Sequence, residues 1–346
     1  MANQSTIGKQ QIGAARIGIV GAGAWGTALA CVMAQTAANA ETMPVMLWAH
    51  EEETAQAINA DRQNPVFLPN VDLPRNIKAT TQLAALADCA IVLLVVPAQF
   101  LRPVLAELAE LLADNAMLVL CAKGIERGTL NFMSQVAADY VDTRRIAVLS
   151  GPSFAADVAR NLPTAVTLAA HDMETAETLA ASLGTAHFRP YAANDVIGAE
   201  IGGAIKNVLA IACGIVVGRG LGESARAAIT ARGFVEMTRL GDALGARRDT
   251  LTGLSGLGDL ILTCASPTSR NFSLGAELGK GRAMADIMAA RQSVSEGAMS
   301  AEAVQALAAR HGLDMPICAA VDAILAGRST VDEAIAGLLA RPLTRE

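Results

Sequence analysis

One glycine-rich turn near the start of the chain constrains the possible folds more than any other feature. Residues 21–26 have the sequence Gly-Ala-Gly-Ala-Trp-Gly, between a short apolar run and a segment of helical composition. A G-x-G-x-x-G pattern in that position is typical of the first βα unit of a dinucleotide-binding fold. Gly21 permits the tight turn, Gly23 lets backbone amides approach a pyrophosphate, and Gly26 lets the helix pack against the strand. The turn therefore predicts a Rossmann-like first domain.

The pattern of the chain changes part-way along its length. Apolar, β-rich runs alternate with helix-like segments as far as about Asn194, and only helical patterns follow. This alternation predicts an α/β domain with a doubly wound, mostly parallel sheet. We therefore predict a loose tail over residues 1–15, a dinucleotide-binding domain over 16–193 and an all-α substrate and catalytic domain over 194–346. The predicted strands are 16–20, 45–48, 90–96, 117–121, 146–149 and 164–169.

The composition excludes several classes of partner. The 346 residues carry a net charge of −6 without a basic tract, so nucleic acid is not an expected partner. The six cysteines form no C-x-x-C pair and lie among apolar residues, which predicts buried, reduced thiols in a cytoplasmic protein. The four histidines lack the spacing of metal ligands, so no metal site is predicted.

Two segments bear on membranes and export. Residues 1–15 lack an apolar core and do not resemble a signal peptide. Residues 201–217 are strongly apolar, but the run is short for a bilayer span and contains Lys206. We therefore predict a buried helix there and no integral membrane segment. The apolar composition of the helical domain makes a homodimer the expected assembly.

The residues after the second strand bear on the choice of cofactor. His50, Glu51 and Glu52 stand where the adenosine ribose is recognised in a dinucleotide fold. An acidic residue there favours NAD, whereas a cationic or hydrogen-bonding residue accommodates the 2′-phosphate of NADP. The sequence offers both signals. Glu51 and Glu52 are interpreted first as a solvated helix start.

Lys206 is the most informative residue for chemistry. It is the only charged residue between residues 201 and 217 and is surrounded by glycine, alanine and isoleucine. Desolvation lowers the pKa of a lysine, which suits a general acid/base in ketone–alcohol interconversion. The alternative is a lysine whose ammonium reaches solvent from a core helix. The neighbouring glycines favour the first interpretation, because they let a ligand or backbone come close.

Further charged and polar residues are candidates for a site. Lys123 follows a predicted strand directly, where open α/β sheets bind ligands. Ser269 is placed to cap a helix. The free backbone amides at the start of that helix, the Arg270 guanidinium and the Asn271 side chain could together hold a phosphate. Arg270 taken alone is interpreted as a surface charge. Asp259 lies in an apolar, glycine-flanked segment, where the sequence leaves open a pairing with a catalytic lysine and a helix N-cap.

Taken together, these residues resemble the NAD(P)-dependent glycerol-3-phosphate dehydrogenases of bacteria. The resemblance extends from about Arg16 to the region of Ala340 and rests on an ordered series of motifs. Any one motif is weak, but the series is specific to the family. The motifs are 21–29, 121–126, 150–155, 200–209, 253–263, 269–271 and 294–297.

The resemblance implies a Rossmann domain and an α-helical domain, with the active site between them. It implies reduction of dihydroxyacetone phosphate to sn-glycerol 3-phosphate for phospholipid synthesis, with Lys206 as the proton acceptor and Thr263 supporting Asp259. The implied substrate contacts are Lys123, Gly151, Ser153, Asp259, Ser269, Arg270 and Asn271. The implied cofactor contacts are Ala24, Trp25, His50, Lys123, Ala155, Arg270, Val294 and Glu296.

The chain departs from the family pattern in two places. Residues 35–42 form a lengthened connection before the second strand, and 293–296 replace a more apolar run, which bears on Val294 and Glu296. The resemblance implies that NADPH is preferred to NADH, with His50 near the 2′-phosphate.

Two other functions remain open at this point. One is a β-hydroxyacid dehydrogenase of similar plan, although that group spaces its lysine and asparagine about one helical turn apart, whereas Lys206 and Asn207 are adjacent. The other is a redox sensor that binds a dinucleotide without chemistry. A sensor would not need Lys206, Lys123 and Asp259 together.

Overall fold

The computed structural model of the protein describes residues 16–36, 43–290 and 296–342. Contacts divide the chain into two compact units. The described residues of Met1–Ala122 and Met133–Val196 form the first unit, and those of Lys123–Phe132 and Ile197–Glu346 form the second. The predicted tail over 1–15 lies outside the described residues.

The segment Lys123–Phe132 differs from the sequence prediction, which kept residues 16–193 together. Ile125 and Phe132 face each other in an isolated β-bridge, and both are buried in the apolar core of the second unit. Burial of these two side chains therefore places the intervening residues, and Lys123 with them, in the helical unit.

The first unit is built on one eight-stranded sheet. Its strands are β1 (Ile17–Val20), β2 (Val45–Trp48), β3 (Ile77–Thr80), β4 (Ile91–Leu94), β5 (Met117–Leu120), β6 (Ile146–Ser150), β7 (Thr164–Ala170) and β8 (Phe188–Ala193). Their spatial order is β3-β2-β1-β4-β5-β6-β7-β8, and every pair is parallel except β6 with β7. The predicted doubly wound, mostly parallel sheet is confirmed.

The order reverses between β1 and β4, so the chain runs outward from β1 to β3 before it crosses to the other half of the sheet. In open α/β sheets such a switch point is where ligands bind, at the carboxyl ends of the strands. Both strands are buried along their whole length, which explains their continuous apolar composition. The helices of this unit are α1 (Ala24–Met33), α2 (Glu52–Ala60), α3 (Leu101–Leu108), α4 (Met133–Ala138), α5 (Ala155–Ala159) and α6 (Met173–Leu183).

Two strands were absent from the sequence prediction, and they are the two edge strands. β3 contains the exposed Lys78, and β8 contains Arg189 and Pro190. Edge strands tolerate charge and proline because one side of the backbone has no ladder to complete. Their composition therefore lacks the continuous apolar run by which the inner strands are recognised.

The described residues of the second unit contain helices and no assigned strand. The helices are α7 (Val196–Gly218), α8 (Glu223–Leu244), α9 (Arg248–Thr252), α10 (Asp259–Ala265), α11 (Arg270–Gly279), α12 (Met284–Ala289), α13 (Glu296–Arg310), α14 (Pro316–Leu325) and α15 (Val331–Leu339). A π-helical turn, Leu254–Gly258, lies immediately before α10.

The long helix α7 forms the centre of this unit. Among the described residues, it is the only helix long and apolar enough to cross a membrane by length and composition. However, 89% of its most apolar window is buried inside the protein, as expected for a core helix. The predicted buried helix over 201–217 is confirmed. All six cysteines are likewise buried and form no disulfide, as predicted.

Helices α7 and α11 pack with almost no side-chain layer between them. A Cβ atom added to Gly214 would lie 2.0 Å from the carbonyl oxygen of Phe272, and one added to Gly275 would lie 2.0 Å from that of Ile211. Real Cβ atoms do not approach backbone this closely. Glycine at both positions is therefore a requirement of the contact, and it fixes α11 against α7.

We predict that Gly214→Ala destabilises the second unit by about 1–3 kcal/mol, because a methyl group forces two helix backbones apart. The matched control is Gly337→Ala in α15, where an added Cβ meets nothing within 4 Å. That control should be neutral or stabilising by about 0.5–1 kcal/mol, since alanine is the better helix former. Urea unfolding followed by circular dichroism measures both changes. Equal effects in the two variants would contradict the close contact.

Candidate active site

The glycine turn has the geometry that the sequence predicts. Gly21 has φ +113°, a backbone conformation that residues with a side chain rarely adopt. A Cβ added to Gly26 would lie 1.8 Å from the carbonyl oxygen of Gly21. An added Cβ on Gly23 would meet nothing within 4 Å. Gly23 is also the N-cap of α1 and supplies no side-chain cap to the amides of Ala24 and Trp25. The turn therefore combines an uncapped helix N-terminus with open space, which suits a pyrophosphate.

The candidates for ribose recognition follow β2 as expected. His50 is exposed, and its ring lies 6.0 Å from that of Trp48, tilted by 54°. Glu51 is the N-cap of α2, and Glu52 begins that helix and accepts a 3.2 Å hydrogen bond from Thr81 Oγ1. The interpretation of both glutamates as an exposed helix start is confirmed. His50 therefore presents an exposed side chain after β2, directly beside the exposed Glu51.

Three further candidates lie at the carboxyl end of β6. Gly151 has φ +153°, and a Cβ there would lie 2.9 Å from the Cα of Val166. The Ser153 hydroxyl donates to the Gly151 carbonyl oxygen at 3.1 Å, and Ala155 begins α5. The sequence thus folds into a tight turn at the carboxyl ends of the strands, where open α/β sheets bind ligands.

In the second unit, Lys206 lies in a network of buried polar groups. Its ammonium donates to Asp259 Oδ1 at 2.7 Å and to Thr263 Oγ1 at 2.9 Å. Thr263 Oγ1 donates in turn to Asp259 Oδ1 at 3.1 Å. The other carboxylate oxygen, Oδ2, accepts a 2.7 Å bond from Lys123. One carboxylate therefore bridges two lysines, and the pairing interpretation of Asp259 applies rather than an N-cap, which is Gly258.

Burial sets the electrostatics of this network. Asp259 is 1% exposed and Lys206 is 8% exposed. Desolvation lowers the pKa of the Lys206 ammonium; Asp259 opposes this shift, and the positive charge of Lys123 adds to it. Desolvation alone would raise the pKa of Asp259, but Lys123 and Lys206 outweigh it, so that pKa lies below its usual value. The carboxylate therefore stays charged while the lysine releases its proton more readily than usual.

Backbone approach explains how Asp259 reaches Lys206. A Cβ on Gly202 of α7 would lie 2.2 Å from the carbonyl oxygen of Ser255, in the π-helical turn before α10. A Cβ on Gly256 would lie 2.0 Å from the carbonyl oxygen of Leu251. Glycine at position 202 lets α7 and the turn touch through their backbones, and glycine at position 256 lets the turn pack against the backbone of α9. Asp259, the first residue of α10, is thereby brought within one hydrogen bond of Lys206.

The predicted phosphate site lies at the start of α11. Ser269 is its N-cap and accepts a 3.3 Å hydrogen bond from the Phe272 amide, so the predicted cap is confirmed. Arg270 is the first residue of the helix, and Asn271 follows it and is buried.

Asn271 belongs to an amide network that the sequence analysis did not predict. Its Nδ2 donates to Asn207 Oδ1 at 2.9 Å, and its Oδ1 accepts from the Gly297 amide at 3.1 Å. A Cβ on Gly297 would lie 2.5 Å from the Asn207 carbonyl oxygen. The network holds the start of α13 against α7. Asn207 had one sequence signal, a second polar side chain directly after Lys206 in an apolar run.

Glu296 begins α13 beside this network. Burial raises the pKa of its carboxyl, and the positive charges of Arg270, Lys123 and Lys206 partly offset that shift. The predicted candidates Lys123, Lys206, Arg270 and Glu296 therefore share one electrostatic environment in the second unit. Val294, the remaining predicted cofactor contact, lies outside the described residues.

The N-terminal model of NAD-dependent glycerol-3-phosphate dehydrogenase matches residues 16–176, and the C-terminal model matches residues 195–336. The two models together account for most of the chain. The chain belongs to the NAD-dependent glycerol-3-phosphate dehydrogenase family.

Individual relatives agree with this assignment. Glycerol-3-phosphate dehydrogenase [NAD(P)+] of Parvibaculum lavamentivorans is 55% identical over 331 residues, which cover 96% of this chain and 98% of the relative. The enzyme of Maricaulis maris is 56% identical over 330 residues, covering 95% and 98%. The crystal structure of glycerol-3-phosphate dehydrogenase from Coxiella burnetii has a TM-score of 0.88 at 38% identity and covers 94% and 99% of the two chains. These matches do not support the β-hydroxyacid dehydrogenase or the redox-sensor alternative.

We predict that Asp259→Asn lowers the free energy of unfolding at about pH 7 by about 3–5 kcal/mol, because it leaves buried ammonium groups without a counter-charge. Without the Asp259 charge, the pKa of Lys206 in the folded protein falls further. Between that pKa and about 10.4, the unfolded state binds more protons than the folded state, so the free energy of unfolding rises with pH in this window. Urea unfolding at neutral and alkaline pH measures the loss, which should be smaller at alkaline pH.

Asp332→Asn is the matched control for this experiment. It breaks the ion pair of Asp332 with Arg219, whose side chains are 68% and 42% exposed. Solvent screens such a pair, so little change is expected at either pH. An equal loss for the two variants, or a loss in Asp259→Asn that does not depend on pH, would contradict the described electrostatics.

Proposed function

We propose that the chain is an NAD(P)H-dependent oxidoreductase that interconverts dihydroxyacetone phosphate and sn-glycerol 3-phosphate. The observation that carries this proposal is the hydrogen-bonded group of Lys206, Asp259, Lys123 and Thr263 in a chain of this family. The names of the relatives support the same reaction.

Lys206 is the proposed proton donor and acceptor. When a ketone is reduced, hydride reaches the carbonyl carbon and the oxygen must receive a proton. The bound nicotinamide ring supplies the hydride. Lys206 Nζ donates its proton to the developing alkoxide, and its lowered pKa makes this transfer easier. Asp259 and Thr263 hold the ammonium in one orientation, since both bond to Nζ.

The substrate phosphate is the proposed ligand of the α11 N-terminus. Ser269 caps this helix through one amide, and Arg270 is its first residue. A helix N-terminus and a guanidinium both favour a phosphate dianion. Lys123 and Lys206 share the single carboxylate of Asp259. These three side chains together therefore have an excess of positive charge. An acidic protein thereby attracts an anionic substrate.

The dinucleotide is the proposed ligand of the glycine turn. The residues fit it, because Gly23 leaves open space and α1 begins without a side-chain cap. Gly21, Gly26, Ala24 and Trp25 shape the turn. The other proposed cofactor contacts are His50, Lys123, Ala155, Arg270, Val294 and Glu296.

We further propose four properties of the enzyme. They are a preference for NADPH over NADH through His50, a homodimeric assembly, a cytoplasmic location and a supply of product to phospholipid synthesis. Exposure of His50 next to Trp48 supports the preference for NADPH, because an exposed imidazole can donate a hydrogen bond to a phosphate oxygen.

We predict that Lys206→Ala lowers kcat for dihydroxyacetone phosphate reduction by about 10²–10⁴-fold, because the proton donor is lost. NADPH affinity should stay close to that of the native protein, since the glycine turn is unaltered. Stopped-flow absorbance of NADPH measures turnover, and fluorescence titration measures binding. Retention of most of kcat would remove Lys206 from the proposed role.

We predict that Arg270→Ala raises KM for dihydroxyacetone phosphate by about 10–100-fold, as expected for loss of charge-assisted hydrogen bonds to phosphate. The matched control is Arg282→Ala, which removes an exposed arginine paired with Glu277 in the same unit. KM should not change in the control. An unchanged KM in Arg270→Ala would exclude Arg270 from the phosphate site.

A further inference from the structure

Asn64 is a buried polar residue that the proposed chemistry does not use. It lies in the loop after α2, and its side chain is 0% exposed. Its Nδ2 donates to the carbonyl oxygen of Ala22 at 2.8 Å and to Thr27 Oγ1 at 2.8 Å. Ala22 is the middle residue of the Gly-Ala-Gly turn, 42 positions earlier in the chain. A distant loop therefore bonds directly to the glycine turn.

The orientation of the Asn64 amide is fixed on all sides. Its Oδ1 accepts from the Phe67 amide at 3.2 Å, while both Nδ2 hydrogens have acceptors. A flipped amide would place Nδ2 against the Phe67 N–H and Oδ1 against the Ala22 carbonyl oxygen, so a single orientation satisfies every partner. The loop itself closes on this residue, because the Leu68 amide donates to the Asn64 carbonyl oxygen at 2.9 Å.

Thr27 completes the arrangement from the other side. Its hydroxyl accepts from Asn64 and donates to the same Ala22 carbonyl oxygen at 3.3 Å. Thr27 is also 0% exposed. The Ala22 carbonyl oxygen thus receives two side-chain hydrogen bonds inside the protein. A peptide held by its carbonyl oxygen cannot rotate, so the adjoining amides keep the direction that the turn requires.

From these contacts we infer that Asn64 is a positioning residue for the dinucleotide: it holds the glycine turn, together with Thr27, in the form that binds the pyrophosphate before the cofactor arrives. The inference rests on the proposed dinucleotide site. A turn that is already ordered loses less conformational freedom when the ligand binds. The effect falls on cofactor affinity, because Asn64 bonds to the glycine turn and not to the acid/base group.

The direct test is Asn64→Asp in the full-length protein, with NADPH as the probe. The substitution keeps the Oδ1 acceptor and the shape of the side chain but replaces the donor Nδ2 with an oxygen that faces the Ala22 carbonyl oxygen. We expect the Kd for NADPH to rise by about 10–100-fold, in line with loss of a preorganised turn. The kcat at saturating NADPH should remain close to the native value. As pH falls, the introduced carboxyl gains a proton that it can donate to the Ala22 carbonyl oxygen. The difference in Kd between the Asn64→Asp variant and the native protein should therefore become smaller.

Asn76→Asp is the matched control. Asn76 Nδ2 donates to the carbonyl oxygen of Ala34 at 3.0 Å, again 42 positions earlier, but at the C-terminal end of the same helix α1. The chemical change is the same, and thermal unfolding reports its effect on stability. Because Ala34 lies away from the glycine turn, the Kd for NADPH should be unchanged.

Thr27→Val is a second, milder variant, which carries the test if Asn64→Asp does not fold. It removes the hydroxyl and keeps the branched shape, so NADPH binding should weaken less while kcat is preserved. A native Kd in the folded Asn64→Asp and Thr27→Val proteins overturns the positioning role. Equal weakening by Asn76→Asp also overturns it, because general destabilisation would then explain the result. Failure of the native protein itself to bind NADPH would instead overturn the proposed function.

Discussion

The buried carboxylate of Asp259 is the group on which the proposed chemistry depends. It accepts 2.7 Å hydrogen bonds from the ammonium groups of both Lys206 and Lys123. Without it, two positive charges would stand in a medium of low dielectric constant, where an unpaired charge is strongly disfavoured. With it, one negative charge is shared between two positive charges. The cluster therefore keeps a positive excess that attracts an anion, while Lys206 still releases its proton below the usual pKa of a lysine.

Close backbone contacts fix the positions of the side chains in this cluster. Helix α7 meets the π-helical turn at Gly202 and meets α11 at Gly214, in both cases with less space than a methyl group needs. Asp259 begins α10 directly after that turn, and Arg270 begins α11. Helix α7 also carries the acid/base lysine. A single buried helix thus sets the relative positions of the proposed proton donor, its carboxylate partner and the proposed phosphate site.

Much of the fold follows from local patterns in the sequence. The glycine turn, the inner strands and Lys206 all carry signals that depend on a few neighbouring residues, and the structure contains each of them. The edge strands β3 and β8 do not, because an edge tolerates Lys78 and Pro190 and so loses the continuous apolar run.

The polar bridges show why sequence patterns do not define the rest of the site. Asn207 bonds to a residue 64 positions away, and Asn64 bonds to one 42 positions away. No local pattern distinguishes such an asparagine from one in a surface loop. Only the tertiary packing brings donor and acceptor together, and the same holds for the segment Lys123–Phe132, which leaves the first unit for the second.

The proposed proton transfer requires that Lys206 has a lowered pKa at its buried, paired position. The chain contains five lysines, so the ammonium nitrogens can be followed individually by ¹⁵N NMR during a pH titration. We predict one resonance that titrates below the reference value of about 10.4 and disappears in Lys206→Met. Titration of every lysine near that reference value, or a shifted resonance that persists in Lys206→Met, would contradict the account.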